Sequence, residues 1–96
     1  MKKEDYECHI TLFGDKTRIE DCIKRVGFGW TFSAIDGDPV LGQRVFCYAT
    51  NHFESEKDAH AELNLAIRDL VSLGLRSNIK RSKIEHIVFD ERYSNV

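Results

Sequence analysis

The sequence is poor in the features that mark several large protein classes. Its 96 residues include one proline and six glycines, which excludes collagen-like and low-complexity chains. No apolar run approaches the roughly 20 residues that cross a bilayer. The charged N-terminus is not followed by the apolar stretch of a secretory signal, so we expect no such signal. The formal net charge of -2 lacks the basic excess typical of DNA-coating proteins.

Cysteine is also scarce. The three cysteines, Cys8, Cys22 and Cys47, are odd in number and contain no C-x-x-C spacing, which argues against a disulfide framework and a zinc ribbon. We therefore expect a cytosolic protein with reduced thiols. The length supports a single domain over residues 1–96, with frayed ends at 1–4 and 91–96.

The first half of the chain carries a strand pattern and then a helix pattern. Residues 5–13 alternate between apolar and polar, as does a strand that is buried on one face. A capping box of Thr17 and Glu20 predicts the start of a helix over residues 18–26. Its apolar side chains recur at helical spacing: Ile19, Cys22, Ile23 and Val26.

The second half predicts a hairpin, a long helix and a last strand. Residues 28–35 and 43–50 are rich in strand-forming side chains. They flank a turn cluster at 36–39, whose connection runs to Gly42. A helix over 56–73 is predicted between the capping residue Ser55 and the terminating Gly74. Residues 79–89 predict a fourth strand.

The order of these elements, β-α-β-β-α-β, defines an α+β fold. It predicts a single ferredoxin-like sandwich, in which two helices cover one face of a four-stranded antiparallel sheet. We expect the strand order 4-1-3-2, with the first and third strands in the centre. Another α+β arrangement stays open as an alternative.

The sheet face away from the helices is the predicted binding surface. We expect it to carry His9 and Thr11 from the first strand, and Phe46, Tyr48 and Thr50 from the third. Uncovered aromatic side chains on a sheet favour a dimer interface, a protein partner or stacked bases. His86, on the last strand, can lie on either face.

The segment His9-Ile10-Thr11-Leu12 is similar to the His-x-Thr motif of the 2H phosphoesterases. The resemblance covers four residues and implies phosphodiester or nucleotide chemistry. Histidine would then act as acid or base, and threonine would donate to phosphate oxygens. The second motif of that family would fall on His86-Ile87-Val88, where valine cannot donate a hydrogen bond. His9, Thr11 and His86 are therefore the catalytic candidates if the protein is an enzyme.

A basic stretch over residues 76–83 offers a third hypothesis. Arg81, Lys83 and their neighbours could bind phosphates or RNA together with Phe46 and Tyr48. The competing interpretation is a charged edge strand, which prevents sheets from aggregating. The third strand lacks the glycines of the RNA-recognition motif, so the edge-strand interpretation is favoured.

No metal ion or other cofactor is expected. The turn containing Asp36 and Asp38 lacks a glutamate at the twelfth position of a calcium loop, and it is better explained as a contact loop. His52, placed in a connection, and His60, on the long helix, lack the spacing of metal-binding pairs.

These observations favour a small, non-catalytic binding or regulatory module. It would act through the open sheet face and the 36–42 loop, on a protein partner or on a second copy of itself. The binding candidates are Phe46, Tyr48, Thr50, Asp36, Asp38, Arg81 and Lys83.

Overall fold

The computed structural model describes residues 2–35 and 44–90, which form one four-stranded sheet and two α-helices. The strand order is β2-β3-β1-β4, and every neighbouring pair is antiparallel. This is the predicted order 4-1-3-2 seen from the other edge, so that prediction is confirmed. The elements are β1 (Lys2–Asp15), α1 (Lys16–Arg25), β2 (Thr31–Ala34), β3 (Arg44–Phe53), α2 (Glu56–Ser72), a short 3-10 turn (Arg76–Asn78) and β4 (Ile79–Asp90).

The central strand β1 alternates as predicted and builds the core with one of its faces. Cys8, Ile10 and Leu12 are fully buried, whereas the residues between them are partly exposed. Opposite them, Ala49 and Cys47 of β3 are also buried. The stripes of both helices pack on this same side of the sheet. Their buried members are Ile19, Cys22, Ile23, Ala59, Leu63, Ala66 and Leu70.

The start of α1 differs from the prediction. Asp15, not Thr17, caps the helix: its side chain accepts a hydrogen bond from the backbone N–H of Arg18 at 2.9 Å. The reason is that β1 continues to Asp15 and the chain turns directly into the helix, which leaves Thr17 inside the first turn. A carboxylate is also a favourable cap because it interacts with the positive end of the helix dipole.

Helix α2 ends as the sequence predicts. Gly74 has a φ of 89°, a left-handed conformation that suits glycine. Its N–H donates to the carbonyl of Val71, and the N–H of Leu75 donates to that of Leu70. These two bonds form a Schellman motif, and the side chain of Leu75 is fully buried beside the helix it terminates.

The hairpin strands have different bounds from those predicted. β2 begins at Thr31 rather than residue 28, because Gly29 adopts a φ of 91° that interrupts an extended path. The side chain of the buried Asn51 holds the segment before β2 in place, because it donates a hydrogen bond to the carbonyl of Phe28 at 3.1 Å. β3 runs to Phe53, three residues beyond its predicted end, and therefore includes His52. β4 ends one residue later than expected.

Replacement of a central β1 side chain tests the core. Ile10→Ala removes three carbons from a fully buried site, and we expect it to lower the free energy of unfolding by about 2–5 kcal/mol. Urea denaturation measures this loss. Leu65→Ala, at a 46% exposed position of α2, is the control and should change stability by less than about 0.5 kcal/mol. Equal losses in the two variants would contradict this core.

Thiol reactivity tests the burial of β1 and β3. Burial raises the pKa of the Cys8 and Cys47 thiols, and both side chains are sealed from solvent. In a Cys22→Ser chain at neutral pH, a disulfide reagent should therefore react slowly with the native protein and rapidly in urea. The reaction is followed by absorbance. Fast labelling of the native chain would contradict the placement of these strands.

Candidate functional site

The face of the sheet that the helices leave uncovered carries the candidate site. Alternation directs the odd-numbered residues of β1 and the even-numbered residues of β3 to this face. His9 lies opposite Thr50, and Thr11 lies opposite Tyr48. On the other side of β1, Lys83 pairs with His9 and Arg81 pairs with Thr11. The structure thus brings together six residues singled out from the sequence.

One end of this face is acidic. Asp5 and Glu7 project from β1, and Glu85 of β4 lies directly opposite Glu7. Lys83 forms an ion pair with Glu85 within β4. We call Asp5, Glu7 and Glu85 the acidic end of the open face.

The opposite end is basic and aromatic. The rings of Phe13 and Phe46 lie 4.9 Å apart in a tilted arrangement, and the guanidinium of Arg44 lies 5.3 Å from the Phe13 ring centre. Phe46 is nevertheless 46% exposed. We call Arg44 and Arg81, with the two phenylalanines, the basic end; Lys83 lies between the two ends, paired with Glu85.

His9 lies near the middle, against the acidic end. Its Nδ1 is 3.4 Å from the Thr50 hydroxyl, and its Nε2 is 2.9 Å from Oε1 of Glu7 and 4.0 Å from Oε1 of Glu85. The geometry at Nε2 is not that of a hydrogen bond. Among the described residues, this solvent-inaccessible nitrogen therefore has a close carboxylate but no hydrogen-bond partner.

The sequence pattern does not reveal His52 as a site residue. It predicts a connection at this position, but His52 lies in β3 directly opposite Glu7. Its Nδ1 is 2.8 Å from Oδ2 of Asp5 and 4.0 Å from Oε2 of Glu7. Only the β1–β3 register reveals this juxtaposition, since 45 positions separate Glu7 from His52 along the chain.

His86 lies on the helix side of the sheet, away from His9 and Thr11. It pairs with Tyr6, and the two rings stack at 4.5 Å with an interplanar angle of 3°. Its Nε2 is 3.7 Å from a carboxylate oxygen of Glu4. The three catalytic candidates are therefore not assembled: the even-numbered position of His86 on β4 directs its ring to the opposite face.

The remaining candidates lie elsewhere. Asp36 and Asp38, with the 36–42 loop, lie outside the described residues. His60 is exposed on α2, 3.7 Å from Glu56 one turn away. The thiol of Cys8 is enclosed and lies 3.5 Å from the carbonyl oxygen of Ala59, which is a structural environment and not that of a nucleophile.

Comparison with known proteins adds little to this geometry. The sequence matches no protein-family model and no curated protein. The structure is similar to a solved structure described as the de novo designed protein Foldit4, with 13% identity and a TM-score of 0.44. That match covers 90% of this chain and 97% of the designed one. Within residues 2–35 and 44–90, no helix has the length and apolar character needed to cross a membrane.

The Lys83–Glu85 pair provides a test of the face's electrostatics. The hydrogen bond and the charge of Lys83 lower the pKa of the Glu85 carboxyl below its ordinary value. We expect Lys83→Met to raise that pKa toward the ordinary value, as measured by NMR of the Glu85 carboxyl carbon during a pH titration. Lys80→Met is the control, because Lys80 contacts the Ser77 carbonyl instead.

The same shift determines a pH dependence of stability. Since the folded-state pKa of Glu85 is depressed, its contribution is present above the unfolded-state pKa and is lost as the pH falls through the folded-state value. Acid should therefore destabilise the parent chain slightly more than Lys83→Met. An unchanged Glu85 titration in that variant would contradict the ion pair.

Proposed function

We propose that the protein is a small binding module that acts through its open sheet face, and that the first occupant of this face is a second copy of the chain. The observation that carries the proposal is the distribution of charge. Three acids stand at one end of the face, one of them paired with Lys83, and two arginines, Arg44 and Arg81, stand toward the other. The element order and strand order also support the ferredoxin-like plan, in which one sheet face stays open.

The charges of the face are complementary to those of a second copy that is rotated by a two-fold axis lying across the strands. A two-fold axis that runs across the strands reverses the strand direction of the partner. It lays the acidic end of one copy over the basic end of the other. A two-fold axis along the strands would instead superimpose like charges, which is unfavourable. Charge therefore selects one orientation.

The aromatic side chains supply the apolar contribution. Phe46 is substantially exposed and packs at a tilt against Phe13, and Tyr48 occupies the next outward position of β3. Covering these rings removes apolar surface from water, which favours association. The functional residues proposed for binding are thus Phe46, Tyr48, Thr50, Arg81 and Lys83.

The size of the face indicates a weak, reversible dimer. Four strands about 4.8 Å apart, over about nine residues of about 3.4 Å each, make a face of about 600 Å². Stable complexes typically bury about 800 Å² on each partner. We therefore expect dissociation near a concentration of about 100 µM rather than permanent pairing. The free, buried cysteines are compatible with action in the cytosol.

Charge reversal tests this dimer. A chain with Asp5→Lys and Glu85→Lys has a basic face, and a chain with Arg44→Glu and Arg81→Glu has an acidic face. Each should be monomeric alone in sedimentation equilibrium, because like charges then meet across the two-fold axis. An equimolar mixture should form heterodimers at least as tight as the parent dimer.

A matched control carries charge changes away from this face. Lys57→Glu and Asp69→Lys alter exposed positions of α2 and should leave the dissociation constant of the dimer within about twofold of the parent value. A parent chain that stays monomeric at millimolar concentration would overturn the proposal. So would dimers that persist unchanged in both of the face variants.

A further inference from the structure

We infer that Asp5, Glu7 and His52 form a binding site for one divalent transition-metal ion such as Zn²⁺. This site lies at the acidic end of the open face and does not depend on the proposed dimer. The donor atoms are two carboxylate oxygens and one imidazole nitrogen, which all lie within 4.8 Å of one another. Sequence spacing alone argued against such a site.

The distances suit a small ion. Zn²⁺ holds nitrogen and oxygen ligands at about 2.0–2.2 Å, so two ligands of a tetrahedral site lie about 3.4 Å apart. His52 Nδ1 lies 2.8 Å from Asp5 and 4.0 Å from Glu7, on either side of that value. Rotation of the side chains would bring the three donors to one ion, and the bond to the ion would replace the hydrogen bond between His52 Nδ1 and Asp5.

The backbone that carries the donors belongs to the two central strands. Asp5 and Glu7 are two residues apart on β1 and face the same way, and His52 is the partner of Glu7 on β3. Their neighbours Tyr6, Cys8 and Asn51 are buried on the other face and fix the register. Rigid elements of this kind hold ligands more accurately than loops do.

The donor set selects the class of ion. Calcium prefers sites made only of oxygen ligands, whereas an imidazole with carboxylates suits zinc and its neighbours in the first transition series. The side chain of His52 is 55% exposed, which provides a route for the ion. This exposure also leaves room for water in the remaining coordination position.

His9 lies behind one of the three donor residues, Glu7. Its Nε2 is closed to solvent and lies 2.9 Å from Oε1 of Glu7, but it makes no hydrogen bond. Nδ1 of His9 lies near the Thr50 hydroxyl, so the His9 ring rests against the Glu7 carboxylate. The other oxygen of that carboxylate, Oε2, faces His52. By this close contact the ring limits where the Glu7 carboxylate can lie, so we treat His9 as a positioning residue for Glu7.

The local charge agrees with a bound cation. Asp5, Glu7 and Glu85 converge on this end of the face, and the nearby Lys83 pairs with Glu85. Lys83 balances one of these three carboxylates, so, among the described residues, two carboxylates without a lysine partner remain around His52. A divalent ion would balance them, and its binding would require His52 to be unprotonated.

The test is a titration of the reduced, full-length chain with Zn²⁺ in competition with a chromophoric chelator. We expect one ion per chain. His52→Gln and Asp5→Asn should each weaken binding more than tenfold, and His9→Gln should weaken it about tenfold. His60→Gln is the matched control. Within the described part of the chain His60 forms an ion pair with one carboxylate, Glu56, so this variant should bind Zn²⁺ as the parent chain does.

A spectroscopic measurement separates this site from other ligands. NMR of the histidine rings should show Zn²⁺ shifting the Nδ1 resonance of His52, with a smaller effect at His9 and none at His60. Circular dichroism checks that each variant is folded, and Asp5→Asn provides a second variant should His52→Gln fail to fold. No saturable binding below about 100 µM Zn²⁺ would overturn the inference, as would full affinity in both His52→Gln and Asp5→Asn.

The metal test is kept separate from the dimer test. The titration is done at about 20 µM protein, below the expected dissociation constant of the dimer. It is repeated on the Arg44→Glu, Arg81→Glu chain, which is expected to be monomeric and retains all three ligands. If that chain binds zinc, the metal site is supported whatever the result for the dimer. If zinc binds only to the dimeric parent and not to that chain, the site as described is wrong.

Discussion

Cross-strand pairing between β1 and β3 positions the core and the open face together. Ile10 pairs with Ala49 on the buried side, and the next pair, His9 with Thr50, lies on the other side. Because side chains alternate along a strand, a slip of one residue would exchange the two faces. It would place His9 under the helices and expose Ile10. The fully buried β1 side chains oppose that slip, since their transfer to water is unfavourable.

The electrostatic character of the open face follows from this register. β4 runs antiparallel to β1, so Glu85 lies beside Glu7, and Arg81 lies beside Thr11. The acidic and basic ends therefore form from short stretches that are distant along the chain. The charged side chains cannot rearrange independently, because their buried neighbours determine where each strand lies. The separation of charge is a property of the fold, and the open face presents it to solvent.

The sequence predicts those parts of the structure that depend on local periodicity. The alternation in β1, the apolar stripes of α1 and α2, and the end of α2 at Gly74 all required only neighbouring residues. The errors arose where two segments compete for the same residues. Asp15 ends β1 and caps α1, and local pattern alone favoured Thr17. Similarly, the interruption before β2 depends on Gly29 and on the distant Asn51.

The candidate site was predictable only in its outline. The outward positions of His9, Tyr48 and Thr50 follow from alternation once the buried face of each strand is chosen. The cross-strand partner of each residue does not follow from alternation, because pairing depends on how two strands align in space. For this reason local pattern reveals neither the juxtaposition of His52 with Glu7 nor the side of the sheet that His86 occupies. The basic stretch before it obscured the alternation of β4.

The acidic end connects the two proposals made for this face. Self-association uses the negative charge of Asp5, Glu7 and Glu85 to attract the basic end of another copy. A divalent ion held by Asp5, Glu7 and His52 would neutralise most of that charge. Binding of the ion and dimerisation would then oppose each other, and thermodynamic linkage requires the opposition to be mutual. A metal ion and a second chain would then compete for the same carboxylates at the end of the sheet where β1 begins.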